Sequence, residues 1–274
     1  MNKAAFTKSH HESFMWLRPW MDENSQLLSG FTTKNGGISE PPFTSFNLGL
    51  HVHDNKEHVI LNRELLANHL NMPLSNWVCA EQVHNSVVQK VTRKQSGKGM
   101  HAYEDGVAQT DGIYTNESNV LLALCYADCV PLYFYAPNHH MVGLAHAGWQ
   151  GTVKDIAGEM IRKWVQEEQI PVEDIYAAVG PAIESCCYIV DDRVISAVNE
   201  VASSADVYVQ ISPNQYRLDL KKLNVYLMKK AGVNEANIIV SSHCTSCEDD
   251  LFFSHRRDQG KTGRMFSFIG FKED

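Results

Sequence analysis

Two reactive side chains stand out by where they fall. Cys129 follows Asp128 in the break between two apolar runs, and His146 closes a third run just before Gly148-Trp149. The runs, residues 120–124, 130–136 and 141–147, are short, continuous and bounded by Asp, Pro, Asn or Gly, which is the pattern of strands buried on both faces. A thiol and an imidazole at strand ends are presented by loops and held rigid by a sheet, an arrangement suited to a catalytic centre. Other thiols read differently. Cys125 lies inside an apolar run and reads as a buried, inert side chain. Cys244-x-x-Cys247 follows a strand and admits a redox pair, or a four-sulfur metal site if Cys186-Cys187 joins it; without a second spaced CxxC the sequence decides for neither. Arg256, Arg257, Lys261 and Arg264 form a cationic cluster. Guanidinium forks match phosphate oxygens, whereas a solvated charged face is the commoner fate of such a run. Gly260-Lys261-Thr262 has the ending of a phosphate-binding loop, but His255 stands where that loop requires glycine.

The elements that must position these groups mix the two periods. Residues 26–33, 77–80, 86–91, 111–115, 175–179, 238–242 and 264–271 read as further strands, with a glycine turn at Asn35-Gly36-Gly37. Asn55 is a fitting N-cap for a helix to Leu70. Helical spacing recurs over 152–169, 191–201 and 218–231, the last closed by Gly232. Residues 93–106 read as a polar surface loop. No linker, repeat or low-complexity segment interrupts the 274 residues, and strands and helices do not alternate strictly. The expectation is one α/β (α+β) domain spanning 1–274, layered, with mixed β-sheets flanked by helices.

Composition narrows the function classes. Hydrophobic residues at 44% and charged residues at 20% suit a globular chain with a sizeable core. A net charge of -8 and no basic stripe argue against a nucleic-acid partner. No run approaches the roughly 18 apolar residues of a membrane span. The amino terminus carries no apolar leader, and seven scattered cysteines make no disulfide scaffold, so the expected location is the reducing cytoplasm.

The segments FTTKNGGIS, NLGLHVHD, EQVHNSVV, TDGIYT, ADCVPLYF, GLAHAGWQGT, GPAIESCCYIV and CTSCEDDLFFSHRRDQGKTGRM occur in this order over nearly the whole chain. Together they resemble the YfiH/YlmD family, also called laccase-domain proteins or peptidoglycan-editing factors. The resemblance implies a fold of the cysteine-hydrolase type seen in deamidase toxins. It also implies a zinc held by the histidines and cysteine of the QVH, ADC and HAGW motifs, here His84, Cys129 and His146. Two imidazoles and a thiolate match zinc's ligand preference, and three protein ligands leave a fourth position open. Copper can occupy the same N/S site. By the same carry-over Asn47 and Arg257 are candidate substrate-binding residues. The chain departs from the family where an arginine gives way to Lys34 in the first glycine motif and where Gln150 follows HAGW.

The resemblance implies purine nucleoside chemistry: phosphorolysis of adenosine, inosine or methylthioadenosine, with an associated adenosine deamination, for which an open zinc site can activate water against purine C6. The partners are then a nucleoside and phosphate; the oligomeric state is left open. A cysteine hydrolase or amidase acting on peptidoglycan precursors, with Cys129 as nucleophile and His146 as base, is a second reading. The family's older label, a multicopper polyphenol oxidase, needs several His-x-His pairs, and the chain has one, His51-x-His53. A zinc-stabilised binding module without turnover would need a closed ligand set.

Overall fold

A computed structural model describes residues 5–203 and 206–273. In chain order the strands are β1 (Phe6–Lys8), β2 (Phe14–Leu17), β3 (Leu27–Thr32), β4 (Trp77–Cys79), β5 (Val88–Lys90), β6 (Gly112–Thr115), β7 (Leu121–Tyr126), β8 (Val130–Ala136), β9 (Met141–Ala147), β10 (Tyr176–Val179), β11 (Ile189–Val190), β12 (Tyr208–Ser212), β13 (Gln215–Leu218), β14 (Ile238–Val240) and β15 (Met265–Phe271). The helices are α1 (Arg18–Met21), α2 (Lys56–Leu70), α3 (Trp149–Val153), α4 (Ile156–Gln166), α5 (Asp192–Ala202) and α6 (Leu220–Lys230). Six strands form one mixed sheet in the order β1-β2-β3-β15-β7-β4, six form a second in the order β14-β10-β8-β9-β6-β5, and β11-β13-β12 form a small third sheet. The expected layered, mixed α/β architecture is what the chain adopts.

The continuous apolar runs are explained by burial on both faces. Along β7, Leu121, Ala123 and Cys125 pack with Leu66 and Leu70 of α2, while Leu122, Leu124 and Tyr126 turn inward against the second sheet. Along β8, Tyr133 and Tyr135 meet that inner layer, and Leu132 and Phe134 meet Met160, Ile161 and Trp164 of α4. The order through the molecule is therefore α2, first sheet, second sheet, then α3–α6. Two tyrosine hydroxyls tie the sheets together: Tyr133 donates to the Gly30 carbonyl at 2.8 Å and Tyr126 to that of Ala145 at 3.1 Å. Buried phenols need such partners, since an unpaired one costs about 1–3 kcal/mol.

The pairing registers place the functional loops at one end. β4 runs parallel to β7, and β15 antiparallel to it, with Met265 opposite Tyr126. In the second sheet Val130 lies opposite Ala147, Gly112 opposite Ala145, and Val179 opposite Leu132. β5 and β14 run parallel to β6 and β10 respectively. The loops after β4, β7, β9, β10 and β14, and the segments entering β6 and β15, consequently emerge along the same edge.

One sequence expectation is corrected. The helix expected over 152–169 is two helices. α3 begins earlier, behind Gly148, and the chain breaks at Asp155, whose φ of 60° stops α3 while its carboxylate accepts the Gly158 N–H to start α4. The hairpin of β12 and β13 and the amino-terminal β1 and β2 were not foreseen. The hairpin's outward residues Val209 and Ile211 are exposed, so its periodicity has no buried face to reveal it.

Candidate metal and anion site

His84 sits in the loop between β4 and β5, with φ 59°. That left-handed backbone is stabilised from below by Asp111, which enters β6. The Asp111 carboxylate accepts the N–H groups of Val83 (3.1 Å), His84 (3.0 Å) and Asn85 (2.8 Å). It also accepts Nδ1–H of His146 at 2.9 Å. The side-chain amide of Gln82 anchors the same loop to β7, pairing with both the N–H and the carbonyl of Cys125. With Nδ1 committed to Asp111, His146 turns its Nε2 away, toward Cys129. The ligand atoms of His84, Cys129 and His146 all lie within 4.8 Å of one another, and the two imidazoles meet edge to face at 4.7 Å. Gly148 makes room for this: a Cβ there would lie 3.0 Å from the Cys129 sulfur and 3.2 Å from the His84 ring.

These residues fit a metal ion. Two nitrogens and one sulfur converge, and a carboxylate fixes the tautomer of one imidazole, the usual support for a metal-bound histidine. Burial works against charge at this spot, yet the neighbouring groups prevail. His146 and His84 hold the Cys129 thiol below its ordinary range, and Cys129 and Asp111 hold His146 above its own. Burial likewise opposes Asp111, but the His146 contact and the backbone N–H groups keep its carboxyl below the usual carboxylate range. A site that favours the thiolate is also a site that favours a cation.

The second buried carboxylate is Asp128, beside Cys129. It accepts Thr245 Oγ1 at 2.7 Å, Ser254 Oγ at 3.0 Å and the Arg256 N–H at 2.7 Å. One side chain thus joins the loop after β7 to the loop after β14 and to the segment entering β15. The bond to the Arg256 backbone brings that arginine to the mouth of the site.

A cavity of about 590 Å³ opens over the three candidate ligands, within the size range of small-molecule sites. His51, Tyr103, Trp149, Gln150, Ile183, Tyr188, Arg256 and Arg264 contribute to its walls. The Arg256 guanidinium stacks at 5.0 Å on the Tyr188 ring and donates Nη1 to the Ile189 carbonyl at 2.7 Å. Arg264 donates Nη1 to the Thr262 and Gly263 carbonyls at 2.9 and 3.0 Å. The remaining guanidinium nitrogens of both make no hydrogen bond among the described residues, which leaves N–H donors for an anion. Burial, with the charges of Arg264 and Arg63 behind it, pushes His51 down to about 4, so a neutral imidazole faces the cavity at pH 7.

Arg257 and Asn47 lie elsewhere. The Arg257 guanidinium is spent on Asp258 and on the carbonyls of Thr245, Ser246 and Phe252, away from the cavity lining. Asn47 is fully buried; its amide accepts the N–H groups of Gly49 and Arg264 and donates to Asp54. It positions the backbone of Arg264 rather than facing the cavity. Lys34 is also outside the cavity, whereas Gln150 is in its wall. Sequence reasoning missed Asp111, Asp128 and the role of Arg256. A signal existed for the first two, since a carboxylate inside an apolar surrounding needs partners to be tolerated.

The family model described as "Multi-copper polyphenol oxidoreductase laccase" matches residues 28–272. A Bacillus subtilis protein named purine nucleoside phosphorylase YlmD is 52% identical over 265 residues, covering 95% of each chain. A Staphylococcus epidermidis protein named purine nucleoside phosphorylase is 38% identical over 98% of this chain and 100% of its own. The crystal structure of YlmD from Geobacillus stearothermophilus superposes with a TM-score of 0.95 at 47% identity, covering 99% of this chain and 100% of that one.

Proposed function

The chain belongs to the laccase-domain (YfiH/YlmD) family, and on that footing we propose that it is a zinc-dependent purine nucleoside phosphorylase acting on adenosine, inosine or methylthioadenosine. One observation carries the reading: His84, Cys129 and His146 share a cavity with the unspent guanidinium donors of Arg256 and Arg264. Phosphorolysis places a phosphate oxygen on ribose C1′ while the bond from C1′ to the purine nitrogen breaks and its electron pair leaves with the base. The arginines hold and orient the phosphate, and positioning of this kind supplies much of the catalysis in such transfers. Tyr188 and Trp149 line the cavity and offer aromatic surface to a purine, and neutral His51 offers it a hydrogen bond without adding charge. Zinc bound by the three ligands supplies a Lewis acid on the cavity floor. Adenosine deamination, which takes water in place of phosphate, is the second reaction we assign to the same cavity.

The polyphenol oxidase label of the family model finds less support. Among the described residues, one group of potential ligands contains histidine, and His51 is not part of it. A multicopper oxidase needs several such groups. A cysteine hydrolase has one specific observation in its favour, the run Cys129–His146–Asp111, with a thiol, an imidazole and an orienting carboxylate in order. That mechanism leaves the second imidazole, His84, without a use.

The test uses inosine or adenosine with phosphate. Free base and ribose 1-phosphate are expected, with base release stopping when phosphate is omitted. Arg256→Ala removes charge-assisted contacts of about 1.5–3 kcal/mol, a loss of roughly 10- to 150-fold in phosphate-dependent efficiency, with zinc retained and deamination much less affected. Arg257→Ala should lower thermal stability and leave the KM for phosphate near the wild-type value. Equal damage to both reactions by Arg256→Ala refutes the phosphate assignment, and full turnover after zinc removal favours the thiol mechanism.

A further inference from the structure

Beyond the catalytic cavity the chain brings four more thiols together. Cys186 and Cys187 lie on the loop after β10, Cys244 and Cys247 on the loop after β14. β10 and β14 are parallel neighbours, with Ala177 opposite Ile238 and Val179 opposite Val240, so their carboxyl ends deliver both loops to one place. Backbone bonds continue the pairing past the strands: Thr245 N–H reaches the Ala182 carbonyl at 3.1 Å. Lys221 is buried between the loops and donates to Glu184 and to the carbonyls of Ser241 and His243 at 2.7–3.0 Å. The positions of the cysteines are thus fixed by the fold around them.

The sulfur separations suit a single tetrahedral metal ion at the centre. Cys187 and Cys247 are 3.3 Å apart, Cys186 and Cys247 3.5 Å, Cys186 and Cys187 3.7 Å, and Cys186 and Cys244 3.8 Å. All four sulfurs lie within 4.8 Å of one another, and all are free thiols. A tetrahedron of thiolates about 2.3 Å from a zinc ion has edges of roughly 3.8 Å. A disulfide needs about 2.05 Å, and an iron–sulfur cluster needs its thiolates spread around a larger core. The Glu184 N–H points at the Cys244 sulfur at 3.4 Å, the kind of hydrogen bond that stabilises a metal-bound thiolate.

We propose that Cys186, Cys187, Cys244 and Cys247 bind a second metal ion, a zinc in a closed four-thiolate shell, and that it braces the wall of the catalytic cavity. Four protein ligands leave no open position, so the ion is structural. Its two loops carry parts of the cavity. Ile183 and Tyr188 flank Cys186-Cys187 and line it, and Tyr188 bears the stacked Arg256. Thr245, next to Cys244, holds Asp128 beside Cys129. This accounts for all seven thiols. One belongs to the cavity's candidate ligands and four to the second site; Cys79 and Cys125, the latter at the edge of the cavity, are buried, and that burial raises their pKa values.

The experiment measures zinc per chain by mass spectrometry, after incubation of the reduced protein with zinc and removal of loosely held metal. Close to two ions are expected in the wild type, about one in Cys129→Ala and about one in Cys186→Ser/Cys247→Ser. Both serine positions are exposed, so the core is spared. If the double variant does not fold, cobalt decides the matter: Cys129→Ala loaded with Co²⁺ should show the intense charge-transfer absorption of a tetrahedral tetrathiolate. A wild type with one zinc that is lost in Cys129→Ala overturns the proposal. So does a cobalt-loaded Cys129→Ala without thiolate absorption, or a disulfide among the four cysteines in the zinc-loaded protein.

Discussion

Replacing Asp111 by asparagine separates the support of the candidate metal site from the candidate ligands themselves. The carboxylate serves four donors, His84 N–H and His146 Nδ1–H on one oxygen, Val83 and Asn85 N–H on the other. Asparagine keeps one acceptor oxygen and turns the other into an NH₂ group. Whichever way the amide faces, two N–H donors meet a donor. An orphaned buried donor costs about 1–3 kcal/mol, and water can reach the half-exposed loop, so a total near 2 kcal/mol is expected. Against a typical stability of about 5–15 kcal/mol the chain remains folded. The larger consequence falls on the metal. With a neutral amide in place of its anionic partner His146 becomes a poorer ligand, and losing such a partner weakens metal binding by about 10- to 100-fold. Zinc affinity is read by competition with a chromophoric chelator, alongside the melting temperature of the metal-free protein. An Asp111→Asn variant that folds and binds zinc within twofold of the wild type refutes this account of the site.

Two further outcomes follow from the geometry. Gly148→Ala introduces a Cβ 3.0 Å from the Cys129 sulfur, so zinc content should fall while secondary structure by circular dichroism stays unchanged; full occupancy would mean the loop yields easily. Asp258→Asn addresses acid stability. Burial raises the Asp258 carboxyl, but hydrogen bonds from Arg257 and Thr262 prevail and hold it below the ordinary range. A depressed folded pKa adds stability that is complete above about pH 4 and disappears as pH falls through the lower folded value. The urea midpoint of the variant should therefore lie below that of the wild type at neutral pH, with the gap closing in acid; a gap unchanged at low pH would contradict the assignment.

The central strands were legible because both their faces are buried. β8 and β9 coincide with the apolar runs 130–136 and 141–147, and Asn55 caps α2 as its residue type suggests, accepting the Glu57 N–H. Less legible was anything decided by tertiary partners. The break at Asp155 depends on a left-handed residue that helical periodicity does not register, and the β12–β13 hairpin has too little buried surface to leave a pattern. At the site, residue types pointed to Cys129 and His146, and the motif resemblance added His84. Arg256 and Arg257 are adjacent and chemically identical, so only the fold could separate them: the backbone of Arg256 is held by Asp128 with its side chain at the cavity, while the side chain of Arg257 is consumed by Asp258 and three carbonyls.

The two buried carboxylates explain how loops so distant in sequence make one site. A loop at a strand end has many polar groups and few partners, and a buried carboxylate that accepts three or four hydrogen bonds fixes its shape at a stroke. Asp111 does this for the His84 loop and passes the constraint to His146; Asp128 does it for the segments bearing Thr245, Ser254 and Arg256. Cys129 lies between the two systems, adjacent to Asp128 in sequence and to His146 in space. Each buried carboxylate is tolerated only while its donors stay assembled, since a buried polar group without partners is destabilising. The loops and the carboxylates therefore order each other, and between them they hold the three candidate ligands and the two arginines around one cavity.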